Sequence, residues 1–297
     1  MYSKILVPLD GSELADRALP TAFALATQSE GEVLMVRALV PERVLVPDAL
    51  SGYGLLWPDR PHAEATREAR ESMLKLRDKA PLGVRTRFQL LEGNAAEAIV
   101  ESAVDNKCDL IVMSSHGYSG MTRWVLGSVA EKVLHAAPCP VLVMRGKLDL
   151  SRLLVPLDGS TLAERALRPA LDLAEGLGGS VTLLRAVQPV PLTDIENLNQ
   201  AERGLGQRYT EELIREAQDY LDFTARTHAR PRVEMHTVVT PEAPADAILR
   251  YTDMHDLDLI VMSTHGRTGV SRWIYGSVTD KVLRGSHHSM LVYRPTE

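Results

Sequence analysis

The sequence predicts two tandem α/β domains, each a doubly wound, mainly parallel sheet with helices on both faces. Three observations predict it. The chain has 297 residues, about two domains' worth. It repeats itself: SKILVPLDGSELADRAL from Ser3 returns as SRLLVPLDGSTLAERAL from Ser151, and DLIVMSSHGYSGMTRWVLGSV from Asp109 as DLIVMSTHGRTGVSRWIYGSV from Asp258. Short apolar runs alternate with helical periodicities in each copy, the pattern of strands joined by right-handed helical crossovers. A repeat of this length is a duplicated domain, not a solenoid unit. The joint falls in the short polar stretch 146–150, which gives domains 1–147 and 148–297.

The elements of the first copy follow in order. Ile5 to Leu9 is a nearly continuous apolar run, as expected of a strand buried on both faces. Ser12 can cap a helix whose apolar positions are Leu14, Ala15, Ala18, Leu19, Ala22, Leu25 and Ala26. Val33 to Leu39 is a second strand. The segment from Pro41 to Pro61 holds four prolines and two glycines, which predicts an irregular excursion. Glu64 to Lys79 reads as a helix and Val84 to Leu90, which alternates, as a strand near a sheet edge. A helix over Ala95 to Val104, a buried strand over Leu110 to Met113, a helix carrying Val129, Val133 and Leu134, and a strand over Pro140 to Met144 complete the unit. The second copy places strands near 152–157, 181–187, 232–239, 259–262 and 290–293.

Composition narrows the function. Apolar residues make up 45% and charged residues 24%, an ordinary globular balance. The net charge is −6 and no Lys/Arg-rich block occurs, which argues against nucleic acid as a partner. No apolar run approaches 18 residues, so no membrane span is expected. The start lacks the apolar core of a signal peptide, and two cysteines suit a reducing compartment; a cytoplasmic location follows as an expectation.

Ligands of open α/β sheets bind beyond the carboxyl ends of the strands, where the strand order reverses. Two repeated segments belong there. One is Asp10-Gly11-Ser12, with Asp158-Gly159-Ser160. The other runs from Ser115-His116-Gly117 to Gly127-Ser128-Val129, with Thr264-His265-Gly266 to Gly276-Ser277-Val278 as its copy. A glycine and a hydroxyl at a helix start offer N–H and O–H donors to an anion such as phosphate. A carboxylate after the first strand can accept hydrogen bonds from a sugar hydroxyl or a base amine. Aspartate and glycine after a strand are equally ordinary turn residues, so a purely structural role stands beside the ligand-binding one. The sequence has no G-x-x-x-x-G-K-[ST], no G-x-G-x-x-G in its first βα turn and no H-E-x-x-H. It shows no nucleophile–base pair and no metal-ligating cluster, so no catalytic residue is assigned.

These segments resemble the universal stress protein family in its tandem two-domain form. Its nucleotide-binding branch carries G-x-x-G, nine residues, then G-[ST]. Gly117 followed by Gly127-Ser128, and Gly266 followed by Gly276-Ser277, fit it. The "VPLDGS" opening and the "HAAPCPVLV" ending of the first copy are also typical. The resemblance implies Rossmann-like five-stranded sheets in the order 3-2-1-4-5. It implies an ATP or ADP ligand, with or without Mg²⁺. Asp10 and Asp158 would lie near the adenosine, Ala38 and Ala186 would offer backbone to the adenine, and Gly117, Gly127, Ser128 and Val129, with Gly266, Gly276, Ser277 and Val278, would line the ribose and phosphates. It also implies a regulatory protein of the stress response with little or no turnover, and a homo-oligomer, most simply a dimer. Two departures stand out. Ser114 and Ser263 occupy the place of the first glycine of the motif, and the second copy ends in "RGSHHSMLVYR". Two other readings stay open: an interaction scaffold with vestigial pockets, and a weak ATP hydrolase.

Overall fold

The computed structural model describes residues 2–39, 44–46, 54–56, 59–115, 126–146, 150–201, 204–264 and 276–294. It divides into two compact units, Met1–Met144 and Arg145–Glu297.

In the first unit, β1 (Lys4–Pro8) leads through the short helix α1 (Glu13–Asp16) into α2 (Ala18–Ser29) and β2 (Glu32–Leu39). A small hairpin follows, β3 (Val44–Val46) and β4 (Gly54–Leu56), then α3 (Asp59–Arg77), β5 (Arg85–Glu92), α4 (Ala95–Asp105), β6 (Leu110–Ser114), α5 (Ser128–Ala136) and β7 (Val141–Met144). The main strands pair in the order β5-β2-β1-β6-β7, every pair parallel. With the hairpin set aside this is 3-2-1-4-5, as expected. Right-handed crossovers put α2 and α3 on one face and α4 and α5 on the other.

Burial explains why the apolar runs became strands. Ile5, Leu6 and Val7 of β1, and Leu110, Ile111 and Val112 of β6, are fully buried, because central parallel strands carry helices on both faces. The outer strand β5 has only exposed and half-buried residues, alternating over its first half. Asp109, just before β6, accepts from the Ser3 N–H (2.8 Å), the Ser3 hydroxyl (2.9 Å) and the Lys4 N–H (3.0 Å), which ties the start of β1 to its neighbour.

The structure refines three expectations. The helix expected after Ser12 is two pieces. Ser12 Oγ accepts from the Ala15 N–H at 3.1 Å, and the chain re-forms its helix after Arg17. Within the segment expected to be irregular, β3 and β4 pair antiparallel, Val44 opposite Leu56; residues 40–43, 47–53 and 57–58 lie outside the described residues. Helix α3 starts at Asp59, five residues earlier than expected, with Pro61 in its first turn. There the missing N–H has no intrahelical partner to lose.

The second unit repeats the plan: β8 (Arg152–Pro156), α6 (Thr161–Glu164), α7 (Leu167–Leu177), β9 (Ser180–Ala186), α8 (Leu192–Ala201), α9 (Leu205–Thr227), β10 (Glu234–Thr240), α10 (Pro244–Met254), β11 (Leu259–Ser263), α11 (Ser277–Gly285) and β12 (Ser289–Tyr293). Its parallel sheet runs β10-β9-β8-β11-β12, again 3-2-1-4-5. Asp258 repeats the tie of Asp109, accepting from the Ser151 N–H and hydroxyl and the Arg152 N–H. Helix α8 stands where the first unit has its hairpin.

The unusual ending of the second copy has a thermodynamic consequence. His288 sits just before β12, where the first unit has Cys139, and its Nδ1 is buried with no partner among the described residues. Burial pushes the imidazole pKa below its ordinary value. The neighbouring His287 adds to this, and Asp253, Asp256 and Asp258 oppose it. The folded state therefore favours the neutral ring. Its contribution to stability is intact above the ordinary histidine range near 6.5 and is lost as pH falls through the lowered folded value. The urea midpoint of the second unit is expected to drop between pH 7.5 and pH 5, and His288→Cys to flatten that drop. An equal drop in the variant would refute the assignment. Burial raises both thiols, Cys108 to about 11 and Cys139 to about 12, so both stay protonated at neutral pH.

Candidate functional site

The strand order of each unit reverses between its first and fourth main strands, β1 and β6 in one, β8 and β11 in the other. That is where open α/β sheets take ligands. Parallel register brings the predicted residues to this edge. Leu6 is level with Ile111 and Pro8 with Val36. Asp10, just past β1, therefore emerges beside Ala38 near the end of β2 and Ser114 at the end of β6. In the second unit Asp158 emerges beside Ala186 and Ser263, the last residues of β9 and β11.

Each aspartate is folded into its own turn. Asp10 Oδ1 accepts from the Ser12 N–H at 2.9 Å, and Asp158 Oδ1 from the Ser160 N–H at 2.9 Å. The glycine between them has φ of 88° at Gly11 and 87° at Gly159, a left-handed conformation that other residues adopt only with strain. The Asp158 carboxyl lies below its usual range. Burial works in the opposite sense, but the Ser160 hydroxyl and N–H and the Arg185 charge outweigh it. A carboxylate so held is ionised at neutral pH and presents acceptors only.

The other half of the edge is a helix start. Gly127 and Gly276 are the N-cap residues of α5 and α11, and neither helix has a side-chain cap. Ser128 and Val129, and Ser277 and Val278, are the first two residues of those helices, where N–H groups lack intrahelical partners. The two copies differ in detail. The Gly127 N–H donates to the Ser115 carbonyl at 2.9 Å, and a Cβ on Gly127 would stand 3.0 Å from that oxygen; among the described residues a Cβ on Gly276 would meet nothing within 4 Å. Ser263 Oγ is buried and has no partner among the described residues. Gly117 and Gly266 lie in 116–125 and 265–275, outside the described residues. Among the described residues no group of three or more His, Cys, Asp or Glu side chains could hold a metal ion, and no helix is long and apolar enough to cross a membrane.

Sequence reasoning missed three elements of this edge. Arg37 and Arg185 cover the two glycine turns: a Cβ on Gly11 would lie 2.7 Å from the Arg37 guanidinium and one on Gly159 3.1 Å from that of Arg185. Their signal was available, since both stand one residue before the alanines at the same offset in the repeat. Tyr220, which packs on Arg185, is not repeated and gave no such signal. The third is a cleft of about 590 Å³ in the second unit, lined by Pro189, Val190, Pro191, Leu198, Tyr209 and Leu213 among others, which opens beyond the end of β9. Its walls come from β9's exit and from two helices, so no single stretch of sequence announces it.

Fold and edge together define a tandem α/β protein in which each unit carries a turn-held aspartate and a helix start without a side-chain cap at its switch-point edge. The universal stress protein family model matches residues 1–145 and again 150–294. The chain belongs to that family. A universal stress protein of Methanocaldococcus jannaschii is 35% identical over 147 residues, covering 49% of this chain and 83% of its own length. One from Mycolicibacterium smegmatis is 24% identical over 315 residues and spans 98% of this chain and 97% of its own. The crystal structure of a universal stress protein from Archaeoglobus fulgidus superposes with a TM-score of 0.67 at 22% identity, covering 98% of both chains, which supports the fold.

Proposed function

We propose that this universal stress protein binds an adenine nucleotide, ATP or ADP, at the switch point of its halves and serves the stress response as a regulator with little or no turnover. The observation that carries this reading is a pair of features at one sheet edge, present twice. A turn-held carboxylate, Asp10 or Asp158, suits ribose hydroxyls. A glycine–serine helix start without a side-chain cap, Gly127-Ser128 or Gly276-Ser277, suits phosphate oxygens. Ser263 Oγ, buried and without a partner among the described residues, fits the same ligand, because an unpaired buried hydroxyl costs stability that a bound oxygen would restore. On this reading Ser114 and Ser263 add a hydroxyl where the family motif has glycine. Ala38 and Ala186 face the base, Gly117 and Gly266 the phosphates, and Val129 and Val278 the helix-start N–H set. A Mg²⁺ ion would ride on the phosphates, held mainly by the nucleotide's oxygens and water. A homodimeric, cytoplasmic protein belongs to the same proposal.

The scaffold reading rests on the bulk that Ser114 and Ser263 bring to the ribose side. One experiment separates the two. Protein purified without added ligand is denatured and the released small molecules are identified by mass spectrometry, then stripped protein is titrated with ATP in a calorimeter. Released adenine nucleotide or a saturable heat supports binding; neither would replace this reading with the scaffold.

A further inference from the structure

The two halves hold their turn-covering arginines differently. In the second, the Arg185 guanidinium carbon lies 4.7 Å from the centroid of the Tyr220 ring, a cation–π contact. The Tyr220 hydroxyl donates to Glu164 Oε1 at 2.8 Å. One side of the guanidinium is covered by the ring and another rests on Gly159, whose missing side chain makes room for it. The cation is fixed beside Asp158 by groups from three elements, α6, β9 and α9.

Among the described residues the first half has the arginine without the clamp. Ala69, Met73 and Leu76 of α3 are buried as Ala217, Leu221 and Thr224 of α9 are, a constant offset that puts Ser72 in the place of Tyr220. Asp16 stands in the place of Glu164. Serine supplies no ring for Arg37 and is too short to reach across to Asp16. The result is visible: Asp16 Oδ1 is buried with no hydrogen-bond partner among the described residues. Burial raises the Asp16 carboxyl above its usual range, with Asp10 and Glu13 adding to the effect and Lys79 and Arg37 opposing it.

We propose that Arg185, fixed by Tyr220 and Glu164, is a positioning residue for Asp158, and that the second half is thereby built to select ribonucleotides over 2′-deoxyribonucleotides more strictly than the first. The inference rests on the nucleotide reading above. An ionised carboxylate locked in orientation accepts a ribose hydroxyl well. Asp158 is exposed in the free protein and would be covered by the bound nucleotide, so when that hydroxyl is missing the covered acceptor is left unpaired, and sites of this kind reject the lacking analogue strongly. A turn whose arginine has no clamp can relax and recover water, so the missing hydroxyl costs it less.

The test uses the full chain and calorimetry with ATP and with 2′-deoxy-ATP. Ser128→Asp places a carboxylate in the first-half phosphate site, so that variant reads the second half; Gly276→Val reads the first. The expected preference for ATP is about tenfold or more in the second half, as one hydrogen bond to a charged group gives, and at most about threefold in the first, as an ordinary hydrogen bond that water can replace gives. Tyr220→Phe keeps the ring and should keep most of the preference. Tyr220→Ser and Arg185→Lys should lower it to the first-half value. Melting temperature is followed alongside, because a merely structural role would move Tm and affinity for both nucleotides together and leave their ratio alone. If wild type binds neither nucleotide, the nucleotide reading falls and this inference with it. If ATP binds but the ratio is unchanged in Tyr220→Ser and Arg185→Lys, this inference alone falls.

Discussion

Gly276→Val is expected to leave the fold intact and to weaken ATP binding in the second half by at least about tenfold, a loss of about 1.4 kcal/mol. The fold should tolerate it because a Cβ there meets nothing within 4 Å among the described residues, and the helix start it caps has no side-chain bond to lose. Binding should not, because the branched side chain would stand between the incoming phosphate and the N–H groups at the start of α11. The matching change in the first half needs a different residue. A Cβ on Gly127 would press on the Ser115 carbonyl at 3.0 Å, so Gly127→Val would mix strain with lost binding. Ser128→Asp avoids this: Ser128 is exposed at the helix start, where a carboxylate favours the helix dipole while repelling a triphosphate. Calorimetry on both single variants and their combination gives stoichiometry as well as affinity. A double variant that bound ATP as tightly and in the same ratio as wild type would show that the sites are elsewhere.

Gly179→Ala is expected to be the most damaging single methyl in the second unit, costing about 1–3 kcal/mol as an overpacked site. Its Cβ would stand 2.5 Å from the Ser151 carbonyl oxygen and 3.0 Å from the carbonyl carbon, both backbone. That backbone has little freedom to yield. Its carbonyl accepts from the Ser180 N–H at 2.7 Å, and the Ser151 N–H and hydroxyl are held by Asp258. Relief would require breaking the first rung between β8 and β9. Gly31 repeats the situation, with a Cβ 2.6 Å from the Ser3 carbonyl oxygen, so Gly31→Ala should do the same to the first unit. Gly276→Ala is the control, with negative φ and open space. Urea unfolding followed by circular dichroism reads the difference. A Gly179→Ala protein as stable as the control would show that the contact relaxes without cost.

The sequence by itself determined the class of fold and the sheet edge at which the proposed site lies. The duplicated blocks define two like units. Apolar runs such as 5–7 and 110–112 could only be strands covered on both faces, because an exposed strand would alternate. The DGS turn and the Gly-Ser helix start carry their chemistry locally, in a φ sign and in uncapped N–H groups, so each was legible from a few adjacent residues.

Tertiary structure decided the rest, because it depends on residues far apart in the chain. That Arg185 lies on Gly159 and under Tyr220 joins three elements separated by dozens of residues, and nothing in the spacing of α9 marks Tyr220 as anything but a helix-face aromatic. The need for glycine at 31 and 179 comes from a carbonyl about 28 residues upstream, not from any turn. The early start of α3 reflects a local rule overridden in a permitted way, since proline is costly in a helix interior and not in its first turn. The inequivalence of the halves is the clearest case. Ser72 and Tyr220 are unremarkable as sequence. Only the packed register of α3 and α9 against their sheets shows that one leaves a buried carboxylate oxygen without a partner among the described residues and the other closes a clamp.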